Sequence, residues 1–327
     1  MPPTGTEPQA LMEALELDSS GPRVVAIGGG HGLAQGLQAI RGYAGRIDAV
    51  VTVADDGGSS GRLAPALDIP PPGDIRKCLL ALAPKESVWK QLFEHRFEVS
   101  DVSGHSLGNL IIAALADIEG DFEAALRASE RLLGTVGSVI PAAPEHLRLH
   151  AVIDGSPVTG QLRIARARGT ITEIGVLPET ARASEDARSA IAAADQIVLG
   201  PGSLYTSVIA ALVVPGIVAA INDSIAPLVF VSNLITQDGE TLGMDAADHV
   251  DALLHLTGVR PPAAIVANDA PVTIDPPLNP ITADSDVLAT YGVDVVASDL
   301  VDRQASWPQH EPERLGALLG SLLKRHP

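Results

Sequence analysis

The sequence predicts an α/β protein with a mostly parallel sheet, helices on both faces of that sheet and a small antiparallel insertion. Short apolar runs of strand length alternate with segments in which apolar residues recur at helical spacing. Turns rich in glycine or acidic residues follow several of these runs, where open parallel sheets bind ligands. The chain has 327 residues, of which 46% are hydrophobic and 19% are charged, so it can bury a large core.

Composition limits the class of protein. Residues 1–21 lack the basic start and apolar core of a leader, and we expect a loose tail before a single domain, residues 22–327. A net charge of −18 argues against nucleic acid or an anionic membrane as a partner. No apolar segment reaches the ~20 residues of a membrane span, so we expect no membrane insertion. Cys78 is the only cysteine, which fits a reducing cytoplasm and a buried thiol.

The first strand, residues 24–27, runs into a glycine turn and then a helix in which apolar residues recur at helical spacing. The first amides of such a helix have no internal acceptors and, together with the helix dipole, they favour a phosphate. The match to the dinucleotide pattern G-x-G-x-x-G is only partial, because Leu33 stands at the third glycine position. A phosphate seat and a plain structural turn therefore both stay open. Five residues form this candidate seat: Gly28, Gly29, Gly30, His31 and Gly32.

An acidic loop follows the second strand, residues 47–53. Asp55 and Asp56 are adjacent like charges with no neighbouring cation before Arg62. A divalent metal such as Mg²⁺ stabilises such a pair, or one member accepts ligand hydroxyls. The alternative is that Asp55 caps the loop while Asp56 faces water. Because both loops leave neighbouring parallel strands, the expected ligand is a nucleotide or another phosphate ester.

The middle of the chain supplies further helices and the insertion. Asp74 follows an extended proline segment and either caps the next helix or contacts the ligand. Trp89, Phe93 and Phe97 recur at helical spacing and are expected in the core. Residues 136–180 are predicted to form a small antiparallel unit, a cap or an oligomer contact, with strand signals at 150–156, 160–165 and 170–177.

Residues 196–207 repeat the opening order of strand, glycine turn and helix start. Gly200, Gly202 and Ser203 would direct amides and a hydroxyl at an anion, which predicts a second phosphate seat. Thr206 suits either a ligand contact or a first helical turn, and Tyr205 is expected near a sugar or a base.

The last third of the chain is predicted to complete the sheet. Residues 217–221 and 228–231 are expected to be buried strands, and residues 311–324 a final amphipathic helix. A polar segment, residues 232–241, follows the second of these strands and is more polar than a core connection requires.

Six sequence blocks occur in this order: GGGHGL, TVADDGGSSGRL, PPGDIRKCL, GHSLGNL, GPGSLYTS and SNLITQDGET. They resemble the YvcK-type gluconeogenesis factor family, which is related to 2-phospho-L-lactate transferase CofD. The resemblance implies a Rossmann-like fold that binds a nucleotide or nucleotide sugar, with UDP-N-acetylglucosamine the associated ligand. It also implies a role in carbon use, peptidoglycan supply and cell shape. Transferase relatives bind a deazaflavin acceptor, a guanylylated phospholactate donor and magnesium. For this chain we expect no redox cofactor. Further ligand contacts implied by the resemblance are Asp74, Asn109, Asn233, Thr236 and Gln237.

Two departures from the family pattern bear on this reading. Members usually carry Thr or Ser at the position of His31, and the segment around His310 lacks the preceding Arg and the later phosphorylatable Thr of some relatives. Two hypotheses follow: a cytoplasmic nucleotide-sugar-binding regulator that assembles as a homo-oligomer, or a magnesium-dependent transferase. Both require that residues 28–32, 55–61 and 200–206 converge on one crevice.

Overall fold

A computed structural model describes residues 20–99 and 101–323, and its two sheets confirm the α/β class. The predicted tail lies outside the described residues except for its last two. The larger sheet has seven strands that all pair in parallel. In spatial order these are β10 (Asp294–Ser298), β9 (Ala264–Asn268), β8 (Leu228–Val231), β7 (Gln196–Leu199), β1 (Arg23–Gly28), β2 (Arg46–Val51) and β3 (Ser138–Pro141). The smaller, antiparallel sheet contains β5 (Ser156–Thr159), β4 (Arg148–Ile153) and β6 (Ile171–Leu177).

Helices connect the strands and cover the larger sheet. The first six are α1 (Gly30–Ile40), α2 (Ser60–Leu67), α3 (Pro72–Leu82), α4 (Val88–Glu94), α5 (Leu107–Glu119) and α6 (Phe122–Leu133). After α7 (Gln161–Ala165) and α8 (Glu185–Ala192), a π-helical turn (Leu204–Ile209) continues as α9 (Ala210–Leu212). The last four are α10 (Ile217–Asp223), α11 (Ala246–Thr257), α12 (Ser285–Thr290) and α13 (Pro312–Leu322). Within the described ranges no single helix is long and apolar enough to cross a membrane, although the bent pair Leu204–Leu212 and Ile217–Asp223 meets that test by length and composition.

The centre of the larger sheet explains where a ligand site can form. Successive residues of β1, Val24 to Ile27, are all buried, and successive side chains point to opposite faces. Both faces are therefore covered, as a parallel sheet requires. The chain passes from β1 to β2 and β3 on one side, and β7 returns on the other side of β1. This reversal leaves a crevice beyond the carboxyl ends of β1 and β7.

Two predicted strands are helices. Residues 217–221 form part of α10, where Ile217 and Ile221 are buried one helical turn apart and Ala219 is exposed. A five-residue apolar run fits the period of a strand as well as that of a helix. Gly216, with φ of 105°, precedes the first residue of the helix. Residues 161–165 form α7 instead of a strand.

Two further expectations were wrong in part. β3 pairs with β2 in the larger sheet, so the antiparallel unit begins at β4 and not near residue 136. Of the three aromatic residues expected in the core, Phe93 is fully buried, but Trp89 is 42% exposed and Phe97 lies beyond the end of α4. α4 has only seven residues, which is too short to bury all three positions on one face.

Glu130, near the end of α6, connects that helix to β3. Its Oε1 accepts a hydrogen bond from the Val139 amide at 2.6 Å. Burial raises the pKa of Glu130 to about 7, and the nearby Asp48 charge adds to this effect. Both effects outweigh the Val139 hydrogen bond and the positive charges of Arg127 and Arg131, which lower the pKa. The folded protein therefore holds this proton more tightly than the unfolded chain.

Glu130→Gln is expected to remove the pH dependence that this carboxyl gives to stability. Because its pKa is raised on folding, its contribution is present below about pH 4.5 and is lost as the pH rises through about 7. Urea unfolding should show wild type losing on the order of 2 kcal/mol relative to the variant across that window. Glu119→Gln, at an exposed position of α5, should follow wild type. A constant difference between Glu130→Gln and wild type would contradict the assignment.

Candidate functional site

A cleft of about 720 Å³ lies at the carboxyl ends of the central strands, and the three predicted loops converge on it. Gly28 and Gly200 lie directly behind its lining, where the Gly200 amide donates to the Ile27 carbonyl at 3.0 Å. The loops contribute eight of the predicted residues to the lining: Gly29, Gly30, His31, Gly32, Asp55, Gly202, Ser203 and Thr206.

The turn after β1 packs against the loop after β7 backbone to backbone. A Cβ atom on Gly32 would lie 2.6 Å from both the Gly202 Cα and the Pro201 carbonyl oxygen. A Cβ atom on Gly29 would lie 2.6 Å from the Thr52 methyl carbon and 2.9 Å from a carboxylate oxygen of Asp74. Glycine is needed at Gly32 because the loop after β7 leaves no room for a side chain, and at Gly29 because Thr52 and Asp74 leave none.

The amino end of α1 matches the first predicted phosphate seat. The first bond of the helix runs from the Leu33 amide to the Gly29 carbonyl. The amides of Gly30, His31 and Gly32 have no acceptor among the residues that the structure describes. Three free donors and the positive end of the helix dipole therefore line the cleft.

The amides next to the second predicted seat bind a carboxylate of the protein. The carboxylate of Glu240 accepts hydrogen bonds from the Tyr205 amide at 3.2 Å, the Thr206 amide at 3.4 Å and the Thr206 hydroxyl at 2.6 Å. Burial raises the pKa of Glu240, although these three hydrogen bonds lower it. Glu240 thus binds the two amides that follow the predicted seat. Within the seat, the Gly200 amide binds the Ile27 carbonyl and the Gly202 amide binds Asn233 Oδ1, while Ser203 lines the cleft.

The polar segment after β8 lines the cleft, but most of its side-chain groups bind other parts of the protein. Asn233 clamps Gly202 by accepting from its amide at 3.1 Å and donating to its carbonyl at 2.8 Å. The Thr236 hydroxyl accepts from the Asn279 amide at 3.0 Å. Gln237 donates to the Ser203 hydroxyl at 3.1 Å, while its Oε1 is buried with no partner among the described residues. Gln237 Oε1 is therefore the group in this segment best able to accept from a ligand.

Besides Gly28 and Gly200, three predicted ligand residues lie outside the cleft lining. The amide oxygen of Asn109 accepts from Arg76 Nε at 2.9 Å in the buried interior. The Tyr205 hydroxyl points to the Met244 sulfur at 3.7 Å, in a neighbouring cavity. Asp56 turns away from Asp55 and accepts from the Leu162 amide at 3.0 Å. These side chains support the loops around the cleft.

The carboxylate beside Asp55 is Asp74, not Asp56. Burial raises the pKa of Asp55, and the negative charge of Asp74 raises it further. Lys77, one turn after Asp74 on α3, holds the Asp74 carboxylate at 2.9 Å. All three side chains line the cleft.

This donor set fits magnesium but does not enclose it. Mg²⁺ is usually held by one or two carboxylates, with waters and ligand phosphates completing its octahedron. Asp55 and Asp74 supply two carboxylates; burial and then the Asp74 charge raise the pKa of Asp55, and a cation would offset the second of these effects. Within residues 20–99 and 101–323, no group of three or more His, Cys, Asp or Glu side chains is placed to hold a metal.

Residues 24–301 match the family described as 2-phospho-L-lactate transferase CofD. The chain belongs to the CofD family. It is 40% identical over 301 residues to the gluconeogenesis factor of Halalkalibacterium halodurans, covering 89% of this chain and 94% of that protein. It is 39% identical over 312 residues to the gluconeogenesis factor of Bacillus subtilis, covering 93% and 98%. The crystal structure of a UPF0052 family member from Bacillus halodurans superposes with a TM-score of 0.87 at 39% identity, covering 90% and 98%.

Several cleft residues of this CofD family member escaped the sequence analysis. Lys77 had a detectable signal, because it lies one helical turn after Asp74. Trp307 and Gln309 follow β10, so the rule that sites lie beyond the carboxyl ends of parallel strands applied to them as well. Glu240 had no such signal, since nothing in the sequence pairs it with Thr206. His310 is buried in the wall, where burial lowers its pKa to about 4, so its ring is neutral at physiological pH.

Glu240→Ala is expected to reduce the free energy of unfolding by about 2–5 kcal/mol, because it leaves two amides and a hydroxyl without an acceptor. Chemical denaturation measures this loss. Asp238→Ala is the matched control, two residues away, where it removes only an exposed ion pair with Arg168. The control substitution should reduce the free energy of unfolding by less than about 1 kcal/mol. Equal losses in the two variants would refute the special role of Glu240.

Proposed function

We propose that this protein is a cytoplasmic gluconeogenesis factor whose cleft binds a nucleotide sugar similar to UDP-N-acetylglucosamine. The observation that carries the proposal is the set of three free amides at the amino end of α1, facing a cleft with Lys77 on its wall. A helix amino terminus with unpaired amides is a phosphate site by both hydrogen bonding and charge. The cleft volume of about 720 Å³ lies within the usual range for small-molecule sites.

The remainder of the cleft suits a polar ligand with several hydroxyls. Gln237 Oε1 offers an acceptor, and Gln35 and Gln161 line the cleft as well. The carboxylates of Asp55 and Asp74 outnumber the one lysine beside them, so a diphosphate would be repelled without a further positive charge. Magnesium bound with the ligand would supply that charge, and its chemistry there is the neutralisation of phosphate oxygens.

The cellular part of the proposal draws on the relatives named gluconeogenesis factor. Binding of the nucleotide sugar would report its level and thereby affect carbon metabolism, peptidoglycan supply and cell shape. We also propose that the protein forms a homo-oligomer. In keeping with its net charge of −18, we propose that it neither binds nucleic acid nor inserts into a membrane.

UDP-N-acetylglucosamine is expected to bind wild type saturably in the presence of MgCl₂. Lys77→Met should weaken this binding about tenfold or more, because it removes a charge-assisted contact to phosphate. Isothermal titration calorimetry measures both affinities, and thermal unfolding checks that the variant is folded. Lys85→Met, at an exposed position outside the cleft, should bind like wild type. Absence of binding to wild type at millimolar ligand would remove the proposal.

A second function is favoured by the Asp55 and Asp74 pair. Two carboxylates beside a phosphate seat match a transferase in which Mg²⁺ neutralises charge that develops on a transferred phosphoester. The reaction would be of the 2-phospho-L-lactate transferase type that names the family. This function uses the same cleft, so the two proposals differ in turnover and not in location.

Under the transferase proposal, wild type should transfer phospholactate from its guanylylated form to a hydroxyl of a deazaflavin acceptor when MgCl₂ is present, with cleavage of the phosphoanhydride bond and release of GMP. Mass spectrometry of the acceptor measures the product. Asp74→Asn should lower the rate by about 100-fold or more, since it removes one of two carboxylates for the cation. Asp68→Asn is the control, because Asp68 is exposed with φ of 52° and asparagine tolerates that conformation. Wild type that binds both substrates without turnover would exclude the transferase.

A further inference from the structure

The segment after β10 forms a closed loop at one side of the cleft, residues 302–309, which we call the tryptophan loop. Val301 and His310 pair as an isolated bridge at its base. The Asp302 amide donates to the Gln309 carbonyl at 2.9 Å, and the Gln309 side chain donates to the Asp302 carboxylate at 2.9 Å. The base of the loop is therefore held by several hydrogen bonds, and Trp307 is presented from a fixed support.

A side-chain contact joins the tryptophan loop to the phosphate seat. Gln35 of α1 donates to the side-chain oxygen of Gln309, and the same amide group contacts the His31 ring at 3.3 Å. Gln35 lies one helical turn beyond His31, a rise of about 5–6 Å. The loop and the free amides of α1 therefore belong to the same wall of the cleft.

Trp307 is 58% exposed, and a single exposed apolar side chain is common on protein surfaces. Its location distinguishes it, because Trp307 lines the cleft. No other tryptophan, tyrosine or phenylalanine among the described residues lines that cleft. A ligand with a flat heteroaromatic ring would find one large π surface there, on the wall that also holds the phosphate seat.

We propose that the indole of Trp307 is the stacking surface for the base of a nucleotide whose phosphates lie on the amino end of α1. This inference rests on the proposed nucleotide-binding function and adds the position of the base. Every nucleobase has a π face, so stacking holds uracil and guanine alike and does not choose between them. Any choice of base comes from polar groups elsewhere in the cleft.

The chain has only two tryptophans, which makes the proposal directly measurable. Trp89 lies on α4, is 42% exposed and does not line the cleft. In Trp89→Phe the emission comes from Trp307 alone, and titration with UDP or GDP in MgCl₂ should quench it saturably. In Trp307→Phe the emission comes from Trp89 and should not respond.

Affinities provide the second readout. Trp307→Ala should weaken UDP binding by about 5- to 150-fold, as loss of one base–aromatic stack does. Trp307→Phe should retain part of that affinity, because its ring still offers a smaller π face. Pyrophosphate, which has no base, should bind wild type and both variants equally.

The outcomes separate this inference from the proposed function. If wild type binds UDP but Trp307 emission does not change, or if Trp307→Ala weakens pyrophosphate as much as UDP, the stacking role is overturned and nucleotide binding stands. If wild type binds neither UDP nor pyrophosphate, both proposals fail together. If Trp307→Ala leaves UDP affinity unchanged but abolishes self-association in sedimentation, the indole is a contact between copies and the inference is overturned.

Discussion

The close backbone contact between the turn after β1 and the loop after β7 is the constraint on which the cleft depends. Gly32 and Gly202 approach so closely that a Cβ atom on Gly32 would overlap the backbone of the loop after β7. The contact lies at the point where strand order reverses, so it fixes the beginning of α1 at the mouth of the crevice. Among the residues that the structure describes, neither the neighbouring loop nor any other segment supplies an acceptor for the amides of residues 30–32. The proposed phosphate seat is thus a consequence of how two glycine loops pack.

The negative charges of three acidic side chains around the cleft are stabilised in three different ways, so each side chain has a distinct role. Glu240 is held by two amides and a hydroxyl, so it acts as an internal anion that stabilises the π-helical turn. Asp74 is paired with Lys77 at 2.9 Å. Asp55 accepts from the Gly57 amide, but its pKa is still raised by burial and by Asp74. Asp55 therefore has the greatest remaining capacity to interact with a cation brought by a ligand.

The sequence was sufficient to predict the parallel sheet and the convergence of three loops, because apolar runs followed by glycine turns obey a general rule for open sheets. It was not sufficient where a short apolar run fits both the helical and the strand period, as in residues 217–221. Nor was it sufficient where the residue that a side chain binds lies far away along the chain. The hydrogen bond between Thr206 and Glu240, for example, joins residues 34 positions apart. Likewise, no local pattern shows that Asp74 lies beside Asp55 and that Asp56 points elsewhere. Resemblance identified the family, whereas side-chain partners required the coordinates.

The adjacent acids of the second loop have separate structural uses. Asp55 faces the cleft, while Asp56 binds the Leu162 amide and so attaches the antiparallel unit to the larger sheet. Two more contacts attach the same unit: Gln161 donates to the Thr206 carbonyl at 2.9 Å, and Arg168 pairs with Asp238. The Arg168 pair is exposed and contributes little, so among these three polar contacts those of Asp56 and Gln161 matter most, beside the burial of apolar residues such as Leu149 and Ile164 in the common core. These two contacts join the antiparallel unit to the acidic loop and to the π-helical turn, both of which contribute residues to the cleft.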